Sequence, residues 1–132
     1  MDLLSTHPQR HDYQQLLHTA VDLSVPIWKE HDGLVPFGIV VLTDDRIALI
    51  GGPDQLPTSG VGILHHICTT VRRDLSRYRA LGYVHLAMAK GTSLLVVELE
   101  HRSGSPLKAY YPLPQHEHWL VEDGVQRIWK QR

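Results

Sequence analysis

The sequence contains a single cysteine, Cys68, so no disulfide can form within the chain. No stretch approaches the roughly 20 consecutive apolar residues of a membrane helix, and no secretory leader is recognisable. The formal net charge is only −1 at pH 7, so the strong positive field that favours non-specific binding to nucleic acid or anionic membranes is missing. These absences predict a cytoplasmic protein that binds neither nucleic acid nor membrane.

Size and composition predict one domain over residues 1–132. With 42% apolar and 20% charged residues, the balance is that of an ordinary globular protein. A chain of this length can bury roughly two-thirds of its unfolded surface around one core. The only segment dense in glycine and proline, residues 51–57, is short enough to be an internal loop.

Hydrophobic periodicity predicts an α+β fold with a single antiparallel sheet of about five strands. The first helix, from Asp12 to Trp28, should kink or end at Pro26, and the second should start at Thr58 or Ser59 and extend its apolar arc to Tyr78. The two strand-like runs after the first helix, 37–42 and 46–50, are too apolar for a solvated sheet face, so helices should pack on the sheet. The expected order is helix, strand, strand, helix, strand, strand, strand, with strands at 37–42, 46–50, 83–89, 94–102 and 107–113.

Strict alternation in the segment from Leu94 to Arg102 separates two faces of one strand. Leu95, Val97, Leu99 and His101 share one face, whereas Val96, Glu98, Glu100 and Arg102 share the other. A three-residue turn, 103–105, allows the register that places Lys108 and Tyr110 on the carboxylate side.

This face carries the candidate catalytic residues Glu98, Glu100 and Tyr110, with His101 beside them. The two carboxylates project about 6 to 7 Å apart, a separation that glycosidases use for acid–base catalysis. The structural alternative is a solvated face on which Lys108 and Arg102 neutralise the two glutamates.

The other candidate chemistry is metal binding. His116 and His118 would share a face of a strand, so they are the candidate ligands, with an incidental crystallisation metal as the alternative. Adjacent His65 and His66 diverge by about 100° on a helix and cannot converge on one ion. Cys68 lies in the apolar arc of the second helix, and no nucleophile elbow or phosphate-binding glycine pattern occurs, so no cofactor is predicted.

Residues 115–132 form a tail whose packing the sequence leaves open. Trp119-Leu120-Val121 could belong to a last hairpin, or to an edge strand followed by a loose tail. Trp119 and Trp129 are large enough that the tail should pack back on the domain or meet another chain.

Two motifs, Pro36-Phe37-Gly38 and the run from Val97 to Gly104 (V-E-L-E-H-R-S-G), resemble those of a group of small bacterial proteins of unknown function. The resemblance implies no activity, cofactor or catalytic residue. The order of elements is also similar to that of roadblock-like and profilin-like domains, in which sheets often pair through an edge strand or a helix. The resemblance covers the stretches 20–30, 36–50, 63–79 and 80–114.

Three functional hypotheses follow. The leading one is a non-catalytic module, expected to be homodimeric, that binds a protein or acts as a regulatory or immunity-type partner. The second is a small enzyme or ligand-binding protein, which requires Glu98, Glu100, His101 and Tyr110 to line one concave pocket. The third is a metal-binding protein that uses His116 and His118.

Overall fold

A computed structural model describes residues 9–51, 60–113 and 119–129. Within them, the six strands form one antiparallel sheet in the order β2-β1-β3-β4-β5-β6. This confirms the α+β class and the single antiparallel sheet, but the expectation of about five strands was wrong. The elements are α1 (Arg10–His31), β1 (Phe37–Leu42), β2 (Ile47–Ile50), α2 (Gly60–Arg73), β3 (Tyr78–Ala89), β4 (Thr92–His101), β5 (Leu107–Pro112) and β6 (Leu120–Asp123).

The two helices cover opposite faces of the sheet. Successive residues of β1 alternate between two cores: Ile39 packs in the core that contains α1, and Val40 packs in the core that contains α2. A strand buried on both faces reads as a continuous apolar run, which is why β1 shows no polar alternation. β2 was expected to be covered in the same way, but it lies at the sheet edge, where Ile47 and Leu49 are 39% and 55% exposed.

Helix α1 is continuous through Pro26 and ends at His31. Of the two effects expected of the proline, a kink or an end, the structure excludes an end at Pro26. Pro26 removes one hydrogen bond to the carbonyl of Asp22, but both residues are exposed and water can solvate that group. The helix stops after His31. Asp32 adopts a left-handed conformation with φ 52°, and its N–H donates to the Trp28 carbonyl at 2.8 Å.

Strand β3 begins at Tyr78 instead of Tyr83, so the helical arc predicted to reach Tyr78 was too long. Helix α2 ends at Arg73, and a short 3₁₀ turn, Leu75–Arg77, leads into the strand. Ala80 and Leu81 pair with both β1 and β4, and these two ladders outweigh a local helical pattern. The predicted caps of α2, Thr58 and Ser59, lie outside the described residues.

The hairpins β3–β4 and β4–β5 set the register of the sheet centre. Lys90 and Gly91 both have positive φ, 52° and 78°, as a two-residue type I′ turn requires. Glu98 lies opposite Lys108 and Val96 lies opposite Tyr110, so the predicted parity of the two faces is confirmed.

The C-terminal part of the chain combines an edge strand with a segment that packs back on the domain. β6 pairs with β5, which agrees with the edge-strand alternative. Ile128 is 7% exposed and belongs to the α2-side core, so residues 125–129 are not loose. No helix among the described residues is long and apolar enough to cross a membrane.

Candidate functional site

The candidate catalytic residues fall on two faces of the sheet. Glu98 and Glu100 lie on the side covered by α2, whereas His101 lies on the side covered by α1, as the alternation of β4 requires. Tyr110 lies on the carboxylate side but at its exposed rim, where its hydroxyl donates to Glu122 Oε1 at 2.5 Å. The enzyme hypothesis requires the four side chains to line one pocket. They do not.

On the α1 side, Asp12 is the centre of a buried polar network. Arg79 donates two hydrogen bonds to its carboxylate, at 2.8 and 2.9 Å, and His101 Nε2 lies 2.7 Å from Asp12 Oδ2. Burial alone would raise the pKa of Asp12, but the hydrogen bonds with Arg79 and His101 outweigh it and lower that pKa below its ordinary value. The network ties the first turn of α1 to strands β3 and β4.

His101 is fixed in one tautomer by its neighbours. The backbone N–H of Ser103 donates to His101 Nδ1 at 3.1 Å, so Nδ1 accepts and Nε2 carries the proton that it donates to Asp12. The Ser103 hydroxyl lies 3.0 Å from the same Nδ1, which completes a serine–histidine–aspartate chain. A backbone donor already occupies the basic nitrogen and Arg79 neutralises Asp12, so this chain is poorly suited to activate a nucleophile.

On the α2 side, Glu98 is bound by residues from two other parts of the chain. His85 Nε2 lies 3.0 Å from its carboxylate, and Arg127 Nη1 donates to it at 2.9 Å. The hydrogen bond with His85, joined by that from Arg127, lowers the pKa of Glu98 to about 2 despite its burial. Lys108 lies directly opposite Glu98 in the register, but its Nζ is 5.6 Å from the centre of the Tyr110 ring, so the expected pairing of Glu98 with Lys108 was wrong.

Glu100 is 4% exposed and binds the segment 125–129, which we call the C-terminal clasp. A single oxygen of Glu100, Oε1, accepts hydrogen bonds from three successive backbone N–H groups, those of Arg127, Ile128 and Trp129, at 2.9, 2.6 and 2.9 Å. Arg72 of α2 donates to the Arg127 carbonyl at 2.8 Å. Glu100 therefore accepts the hydrogen bonds of the clasp backbone. The pairing of Glu100 with Arg102, which the sequence had suggested, is not formed.

The remaining candidates are two histidines and the single cysteine. His116 and His118 lie outside the described residues, so the metal hypothesis stays a prediction. Among the described ranges, no group of three or more histidine, cysteine, aspartate or glutamate side chains could hold a metal ion. Burial raises the pKa of the Cys68 thiol, as its position in the apolar arc predicted.

The outer edge of β2 is a feature that the sequence did not single out. No described strand pairs with this edge. Beside it, α1 and Ile47 line an open groove of about 450 Å³ whose other lining residues include no lysine, arginine, aspartate or glutamate: His11, Gln14, Gln15, His18 and Thr19. This edge and groove, which we call the β2 surface, combine exposed apolar side chains with unpaired strand backbone.

Comparisons of this chain with protein-family models, with curated proteins and with solved structures find no match. The resemblance described from the two sequence motifs, and the similarity to roadblock-like domains, therefore stay predictions.

Proposed function

We propose that this protein is a non-catalytic, protein-binding module that associates with a second copy of itself through the β2 surface. The observation that carries the proposal is the exposed apolar edge strand Ile47–Ile50. Both polar networks described above are engaged in holding the domain together, which argues against the enzyme hypothesis. A regulatory or immunity-type role is consistent with such a module.

The backbone of β2 is oriented for strand pairing. Leu42 N–H donates to the Arg46 carbonyl at 2.8 Å, and the pairs continue in that register as Val41–Ile47 and Ile39–Leu49. Antiparallel pairs alternate between hydrogen-bonded and non-hydrogen-bonded, so the N–H and C=O groups of Ile47 and Leu49 point away from β1. These two residues can therefore donate to and accept from an added strand.

The edge also lacks the features with which proteins discourage pairing. Its four residues include no lysine, proline or inward-pointing charge. At the opposite edge of the sheet, β6 ends in Glu122 and Asp123, whose charges disfavour the addition of an identical strand. The asymmetry favours β2 as the binding edge.

A second copy is the partner that this surface fits best. No lysine, arginine, aspartate or glutamate lines the groove beside β2, and Arg46 is already paired with Asp44 at 2.7 Å, so these residue types cause no repulsion between two approaching copies. A two-fold axis perpendicular to the sheet would place Ile47 opposite Leu49 of the second copy, with the α1 helices on one face. A strand this short buries less than the about 1,200 Å² typical of stable complexes, so we expect a reversible dimer.

Sedimentation velocity over a range of concentrations tests the proposal. Leu49→Lys should shift the protein to monomer at concentrations where the wild type dimerises, because the new charge would face an apolar strand. The matched control is Leu120→Lys, which changes an exposed leucine on the other edge strand and should leave the dimer unchanged.

Two results would overturn this proposal. A wild-type protein that stays monomeric at its highest soluble concentration would exclude self-association. A dimer that is lost in Leu120→Lys and kept in Leu49→Lys would place the interface at β6 instead of β2.

A further inference from the structure

The C-terminal clasp is attached to the domain by polar contacts and by two apolar side chains. Ile128 is buried in the α2-side core together with Ile67 and Tyr83, and the partly buried Trp129 packs against the same core. The other attachments are hydrogen bonds and an ion pair with Glu98, Glu100 and Arg72. The clasp has no regular secondary structure, and Gly124 joins it to β6.

Two carboxylates at interior positions of a central strand are an unusual way to hold a chain segment. Burying an ionised carboxylate costs several kcal/mol, and apolar residues of similar volume often give equal or greater stability. The sheet positions of Glu98 and Glu100 could have been filled by apolar side chains that pack against α2. A polar attachment has a different property, because its partners can be exchanged for others of the same chemistry, provided that an incoming apolar side chain replaces Ile128 in the core.

The face beneath the clasp presents three complementary features in a row. Glu98, oriented by His85, binds a guanidinium group, and Glu100 Oε1 binds consecutive backbone N–H groups. Next to them, the α2-side core receives an aliphatic side chain, which is that of Ile128 in this chain. Residues 127–129 form a bend, which lets their three N–H groups converge on one oxygen. We infer that this face is a peptide-binding site, which the clasp occupies in cis, and that it accepts from a protein partner a bent segment with arginine followed by an aliphatic residue.

The inference goes beyond the proposed function and does not depend on the β2 surface, which lies at the opposite edge of the sheet from β6. A tethered ligand competes with an effective concentration in the millimolar range. A free segment of the same sequence therefore binds the wild type weakly. Weakening the clasp without altering the face should expose the site.

A labelled peptide with the sequence of residues 124–130 is the probe, and fluorescence polarisation measures its binding to the full-length chain. Arg127→Ala removes the guanidinium of the clasp but leaves Glu98, Glu100 and His85 in place. This variant should bind the probe at least tenfold more tightly than the wild type does. Adding Glu98→Gln and Glu100→Gln to it should abolish the gain.

Two controls separate exchange from a purely structural clasp. The same peptide with alanine in place of its arginine should bind the Arg127→Ala chain at least tenfold more weakly than the probe does. Circular dichroism checks that the variant is folded, and Arg127→Lys, a milder change, replaces it if it is not. A folded variant that fails to bind the probe, or binds both peptides equally, would overturn the inference.

Discussion

Replacing Asp12 with asparagine should destabilise the protein strongly, because Asp12 holds two other buried or half-buried groups. Removing one member of a buried ion pair costs about 3–5 kcal/mol, since the remaining charge is left without its partner. Here the side chain of Arg79 is 22% exposed and keeps a second carboxylate, that of Asp45, at 2.8 Å. We therefore expect a loss of about 2–4 kcal/mol in the free energy of unfolding.

Asp45→Asn is the matched control, because it removes the other carboxylate that binds the same guanidinium. The side chain of Asp45 is 82% exposed, and exposed ion pairs contribute only about 0–1 kcal/mol. Asp45 has a positive φ of 72°, which asparagine also tolerates, so this change adds no backbone strain. The control therefore isolates the effect of burial.

Urea denaturation, followed by circular dichroism, measures both changes. The expected result is a large fall in the unfolding midpoint for Asp12→Asn and a small one for Asp45→Asn, with similar slopes. Equal losses in the two variants would refute the reasoning, because they would mean that burial of Asp12 does not determine the strength of its network.

Two further predictions concern the opposite face of the sheet and the turn that precedes the clasp. Because the pKa of Glu98 is lowered, the ionised carboxylate stabilises the fold above the ordinary pKa of 4.5, and this stabilisation is lost as the pH falls toward about 2. Glu98→Gln should therefore flatten the dependence of the free energy of unfolding on pH in that window. An unchanged dependence, measured by urea titrations at several pH values, would contradict this. Gly124→Ala should lower the melting temperature, because its Cβ would lie 2.8 Å from the backbone of Leu107. Gly51→Ala should not, because among the described residues, apart from its chain neighbours, no atom lies within 4 Å of the added Cβ. Equal melting temperatures for the two alanine variants would show that the turn adjusts freely.

The facial pattern of β4 could be predicted from the sequence, because side chains of a strand alternate with a period of two. The separation of Glu98 from His101 follows from that period alone. Their partners could not be predicted, since Arg127 and Asp12 lie far away in the sequence and reach them only through the tertiary fold. Local alternation tells which face a residue occupies, but it does not tell what covers that face.

Strand order was the other property that the local pattern left undetermined. The apolar run of β2 is nearly as hydrophobic as that of β1, yet β1 lies between two neighbours and β2 has only one among the described strands. Its exposed Leu49 became apparent only with the topology of the sheet. The same holds for the start of β3, where Tyr78 pairs with β1, and Ala80 pairs with both β1 and β4, in place of the predicted helical periodicity.

Hydrogen exchange of the β2 amides as a function of protein concentration tests the central claim most directly. If two copies pair through this strand, exchange at Ile47 and Leu49 should slow as the concentration rises, while exchange at Leu120 on β6 stays constant. Exchange at Ile47 and Leu49 that is independent of concentration, in a protein that nevertheless dimerises, would contradict the proposed interface.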